Sequence, residues 1–123
     1  MKFTVFVLSD PRSGEEALGR AFNGLAFAAE AHASGDDVAI VFLGAGTRWP
    51  AELVKLGHPA RELYDAVRPL VAGASTACAT VFGAMDGVKA SGLALLNDNA
   101  LQGTPGLASM RRHLAEGRTA LVF

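Results

Sequence analysis

Apolar residues in this chain come in short dense runs separated by polar and glycine-rich stretches, and the runs alternate between two periods. Phe3 to Leu8 is β-rich and apolar on both parities, the pattern of a strand covered on both faces, as in parallel sheets flanked by helices. Val38 to Leu43 repeats that pattern and stops at Gly44. Between the two, Ser13-Gly14-Glu15-Glu16 has the S-x-x-E spacing of a capping box, and Leu18, Phe22, Leu25 and Ala29 recur at helical intervals until Gly35. Strand, long helix and strand in succession make a βαβ unit, whose crossover is expected to be right-handed.

After the loop Gly44–Pro50 come two short helical patterns. The second begins at Pro59, places Leu63, Ala66 and Val67 on one side, and ends at Pro69. Leu70-Val71-Ala72 predicts a short third strand before Gly73, Ala77–Phe82 and Ala84–Ala90 read as helices, and Leu93–Leu96 as a fourth strand after Gly92. Pro105 is expected to open a last helix carrying Leu107, Met110, Arg111 and Leu114. Gly117 closes it, and Thr119–Phe123 forms the final strand. Five strands alternating with helices predict one α/β domain over residues 1–123: a three-layer α/β/α sandwich around a five-stranded parallel sheet.

The composition, 50% hydrophobic and 19% charged over 123 residues, supplies one continuous core. A net charge of -1 with scattered Lys and Arg gives no positive field for a phosphate backbone, so nucleic acid is not expected as a direct partner. The run Val38–Ala45 falls far short of the roughly 20 apolar residues a spanning helix needs, so no membrane partner is expected either. The single cysteine cannot form an internal disulfide, and a lone thiol persists best in a reducing compartment, which points to the cytoplasm.

Ligands of open parallel sheets collect at the carboxyl ends of the strands. After the first strand, Ser9, Asp10, Arg12 and Ser13 precede a helix whose amides could hold an anion, unless Ser13 and Glu16 already cap them. After the second, Gly44 and Gly46 begin a G-x-G-x-x-G, but Trp49 stands in place of the third glycine, which removes the dinucleotide reading. Thr47, Arg48 and Trp49 offer a hydroxyl, a cation and an aromatic for a pocket or a subunit contact, or else Trp49 packs on its own domain. After the third, Ser75 or Thr76 can cap a helix with Cys78 near its first turn, where the helix end favours thiolate; the alternative is a buried cysteine acting as a small hydrophobe. Asn97-Asp98-Asn99 is a polar turn on the same edge. His32, His58 and His113 lie too far apart in sequence for a paired-imidazole motif, so no metal site is expected, and nothing calls for an organic cofactor.

Taken in order along the chain, Gly44-Ala45-Gly46-Thr47-Arg48-Trp49-Pro50-Ala51-Glu52-Leu53, Cys78-Ala79-Thr80-Val81-Phe82-Gly83-Ala84, and Asp98-Asn99 with Thr104-Pro105-Gly106 resemble the DsrE/DsrF-like, or YchN-like, family nearly end to end. The resemblance implies a parallel five-stranded sheet between helices, assembled as a homo-oligomeric trimer or hexamer. It also implies a cysteine, here Cys78, that takes sulfane sulfur as a persulfide from a donor protein and passes it to an acceptor, in sulfur oxidation or tRNA thiolation. Some relatives hold a second cysteine nearby, whereas Thr76 and Thr80 occupy that neighbourhood here. A dithiol cycle within one chain is therefore excluded, while a one-thiol relay is not. The competing expectation is a non-catalytic oligomer of the same family that binds a small ligand or a protein through Gly44, Gly46, Thr47, Arg48, Trp49, Ser75 and Thr76, with Cys78 structural.

Overall fold

The computed structural model describes residues 1–123. The strands are β1 (Lys2–Val7), β2 (Asp37–Phe42), β3 (Val71–Ser75), β4 (Leu95–Leu96) and β5 (Thr119–Val122). The helices are α1 (Glu15–Ala33), α2 (Trp49–Leu53), α3 (Arg61–Val67), α4 (Thr76–Val81), α5 (Met85–Ala90) and α6 (Met110–Ala115). Short 3-10 turns span Pro11–Ser13, Gly44–Arg48 and Arg68–Leu70. The strand order is β4-β3-β2-β1-β5 with every neighbouring pair parallel, so the expected α/β/α sandwich and its five-stranded parallel sheet are present. No helix is long and apolar enough to cross a membrane.

This order decides how the two faces of the sheet are covered. The chain steps in one direction from β1 to β4, so right-handed crossovers lay α1 to α5 on one face. It then returns past β1 to β5, which leaves α6 on the other. Packing follows the same division. Val5, Val7, Ile40 and Phe42 point into a cluster of 18 buried residues with Leu25, Trp49, Tyr64, Ala79 and Val88, whereas Phe6, Val41 and Leu43 point the other way and share a cluster of only four with Ala108. Alternation along the strands feeds both layers, as both-parity apolar runs require.

α1 forms because Glu15–Ala33 contains no β-branched residue and is rich in alanine. It stops where the amides of Ser34, Gly35 and Asp36 turn back onto the carbonyls of its last turn. Its buried face is Ala17, Ala21, Gly24, Leu25, Ala28 and Ala31, small side chains that let it lie close over the sheet, whereas Phe22 is 40% exposed. The expected capping box does not form. Asp10 caps the Pro11–Ser13 turn by accepting from Arg12 N–H, Ser13 is absorbed into that turn, and α1 starts at Gly14 with no side-chain cap while Glu16 pairs with Arg20.

Other boundaries also move. β3 runs through Gly73 to Ser75 rather than ending at Ala72, because a side chain at Gly73 would strike the Ala94 carbonyl of the adjacent segment, and only glycine lets the strand continue. β4 shrinks to two residues. The last helix starts at Met110 rather than Pro105. Gly106 has φ +94, which breaks any helix there, and Leu107 instead makes a two-way backbone bridge with Asn99. Ser109 then caps α6 by accepting from Arg112 N–H at 3.1 Å.

Candidate functional site

The carboxyl ends of β1, β2 and β3 and the long segment after β4 converge on one groove of about 520 Å³. Leu8 and the pair Leu43–Gly44 supply its floor side, Cys78 comes from α4, and Asn99 with Leu107–Arg111 forms the facing wall. Six of the ten lining residues are hydrophobic, which makes it a site for an apolar surface rather than a free anion. Arg111 is the one charged side chain there and Cys78 the one thiol.

Cys78 is the third residue of α4 and is half-buried, so it is neither lost in the core nor fully in solvent. The start of α4 is fixed by the segment that builds the opposite wall. Ala77 N–H donates to Gly106 O at 2.9 Å, Thr76 Oγ1 donates to Leu96 O at 3.0 Å, and buried Ser75 Oγ accepts from Ala108 N–H at 3.0 Å. Ser75 and Thr76 therefore do not cap α4, as the sequence suggested; their hydroxyls hold the two walls of the groove together. Thr80 is likewise occupied, donating to Thr76 O.

Of the two expectations for the loop after β2, the structure shows the one in which Trp49 packs on its own domain. Thr47 and Trp49 are each 1% exposed: Thr47 Oγ1 donates to Gly44 O, and Trp49 Nε1 donates to Ser9 O at 2.7 Å, so neither lines a pocket. Arg48 is a clamp. Its Nε donates to Phe82 O at 3.0 Å, its guanidinium meets Asp10 at 2.9 Å and stacks over the Phe82 ring, tying the loops after β1 and β2 to the end of α4. Gly46 is buried against β1, and a Cβ there would collide with the Val7 carbonyl, which is why the loop needs glycine at that point. Of this group only Gly44 reaches the groove.

Beside the start of α1, Ser9, Asp10, Ser13, Glu16 and Arg20 line a polar cleft of about 230 Å³. Its cation is spent on Glu16 and its other charge is Asp10, so it is not an anion cradle. The Asp10 carboxyl lies below its ordinary value, chiefly because it accepts from the Arg12 amide, with Arg48 adding a hydrogen bond and a charge against the opposing effect of burial. The three histidines are dispersed, and nowhere do three His, Cys, Asp or Glu side chains converge as a metal would require.

Sequence reasoning placed Cys78 and the Asn99 turn on this edge but did not see Leu107, Met110 or Arg111 as groove residues. Their signal was masked by the helical reading of Pro105 onward. No family model, no curated protein and no solved structure matches the chain.

Proposed function

We propose that the chain is a DsrE/DsrF-like sulfur carrier in which Cys78 accepts a sulfane sulfur and hands it on. The observation that carries this reading is that the single thiol stands half-exposed in an apolar groove at the carboxyl edge of the parallel sheet, among the segments that bear the family resemblance. In the accepting step the Cys78 thiolate attacks the outer sulfur of a donor persulfide, R–S–SH. The donor S–S bond breaks as the new S–S bond forms, R–S⁻ departs with the electron pair, and Cys78 is left as a persulfide that retains the proton. No external oxidant or reductant is needed. The second step repeats the exchange with an acceptor thiol.

On this reading the apolar groove receives part of a donor or acceptor protein, the chain works in the cytoplasm, and it assembles as a trimer or hexamer. Exposed Leu56, Val81, Leu101 and Val122 supply apolar surface for contacts between copies. Reduced protein incubated with a persulfide donor should gain the mass of one sulfur atom, and Cys78→Ser should gain none. Absence of the gain in the unsubstituted protein, or an equal gain in Cys78→Ser, rules the reading out. The groove by itself also suits a non-catalytic binder, for which Cys78 would resist alkylation in the folded protein.

A further inference from the structure

α6 is held to the sheet by an ionisable side chain. Of its six residues only His113 is buried, at 4% exposure, and its Nδ1 lies 2.9 Å from Oγ1 of the fully buried Thr4. The imidazole also meets the Phe6 ring edge-on, with centroids 5.4 Å apart. The charges around it are Arg112 on α6, Glu116 and Arg118 just beyond its end, and Asp98 from the segment before α6. The acids are engaged elsewhere, Asp98 and Glu116 with Arg112, Glu116 also with Arg118, and Asp37 at the start of β2 with Arg118 at 2.9 Å. From the sheet, β1 brings uncharged Thr4 and Phe6, with Lys2 two residues along the same face at the exposed end, and β5 brings Ala120 to that layer.

A neutral imidazole suits this place, since Thr4 Oγ1 can donate to Nδ1 or accept from it. An imidazolium would have one hydroxyl as its partner, two guanidinium groups nearby and no carboxylate of its own. Burial first, then the Arg112 charge, accordingly hold the His113 pKa below its ordinary 6.5.

We propose that His113 is a pH-sensitive latch: while neutral it docks α6 on the sheet, and when protonated it releases α6. Met110 and Arg111 in the first turn of α6 line the Cys78 groove, so release also loosens that end of the groove, while Leu107 and Ala108 stay held by Asn99 and Ser75. The sign follows from a folded value below the unfolded one. Docking is at full strength above about pH 6.5 and weakens as pH falls toward the lowered value, the undocked population rising by at most about tenfold per pH unit.

Amide hydrogen exchange read by mass spectrometry tests this on the intact chain, comparing residues 110–118 with α1 after correction for intrinsic rates. Between pH 7 and pH 5 the protection of 110–118 relative to α1 should fall on the order of tenfold in the unsubstituted protein, and it should stay level in His113→Gln, which carries no titrating ring. An unchanged ratio in the unsubstituted protein, or an equal fall in His113→Gln, overturns the latch. A titration of the His113 ring by nuclear magnetic resonance needs no variant. The ring should titrate below the ordinary imidazole range with the α6 amides following the same curve; a ring at or above that range, or α6 amides that do not follow it, overturns the proposal equally. Neither measurement involves sulfur chemistry, so its outcome is separate from that of the Cys78 reading.

Discussion

The two faces of the sheet are built to different strengths. One is covered by five helices over a cluster of 18 buried residues, among which Tyr64 holds the one buried polar side-chain atom without a hydrogen-bond partner. The other has four buried core residues, one six-residue helix and a histidine as that helix's anchor. The well-covered face keeps the strands in place, and the sparsely covered one holds the parts that can move without unfolding the rest. Regions of few buried apolar contacts open first, so the end of the groove wall formed by Met110 and Arg111 is adjustable while the floor is not.

That contrast can be broken most directly by truncating one residue on each side. Leu25→Ala removes a side chain 1% exposed in α1 and should cost about 3 kcal/mol of global stability in urea unfolding. Met110→Ala, on the opposite face and only partly buried, should cost under about 1.5 kcal/mol. Equal costs would erase the distinction between the faces.

A smaller effect is expected where the two faces meet at the carboxyl edge. Asp10→Asn weakens the Arg48 clamp and should cost about 0.5–1 kcal/mol at neutral pH, because the pair is partly solvated. Since the folded carboxyl lies below its ordinary 3.8, its contribution is present above that value and is lost as pH falls through the lowered one. Stability curves of the two proteins, followed by thermal unfolding against pH, should therefore converge in acid. A gap that persists there assigns the loss to packing rather than charge.

The smallest change sharpens the comparison from inside the strong face. Tyr64 Oη is buried without a partner, and burial raises its pKa. Tyr64→Phe removes that hydroxyl and keeps the ring against Phe42 and Arg68. The melting temperature should hold or rise slightly, corresponding to a gain of at most about 1 kcal/mol. A clear fall would mean that the hydroxyl has a partner.

The alternation of elements was legible in the sequence because both-parity runs such as Val38–Leu43 and an alanine-rich helix without β-branching depend on local chemistry alone. Failures occur where distant backbone decides. Gly73 looks like a strand end until the Ala94 carbonyl is seen beside it, and Pro105-Gly106 looks like a helix start until Leu107 is found bridged to Asn99. For Trp49 and Arg48 the sequence left a pocket or subunit contact open beside packing of Trp49 on its own domain, because nothing local announces the Ser9 carbonyl or the Asp10 carboxylate that receives them. Cys78 was visible as a candidate, but its groove draws on four separate stretches of chain that no spacing rule connects.

The return of the chain past β1 has a consequence for biogenesis. β1 emerges from the ribosome first of the strands, yet one of its two ladders is completed only by residues 119–122. Until those arrive, one whole edge of the first strand presents bare amides and carbonyls to anything nearby. The nascent chain is therefore open to mispairing at that edge until residues 119–122 are made, and closing it is the slow, long-range step of its folding.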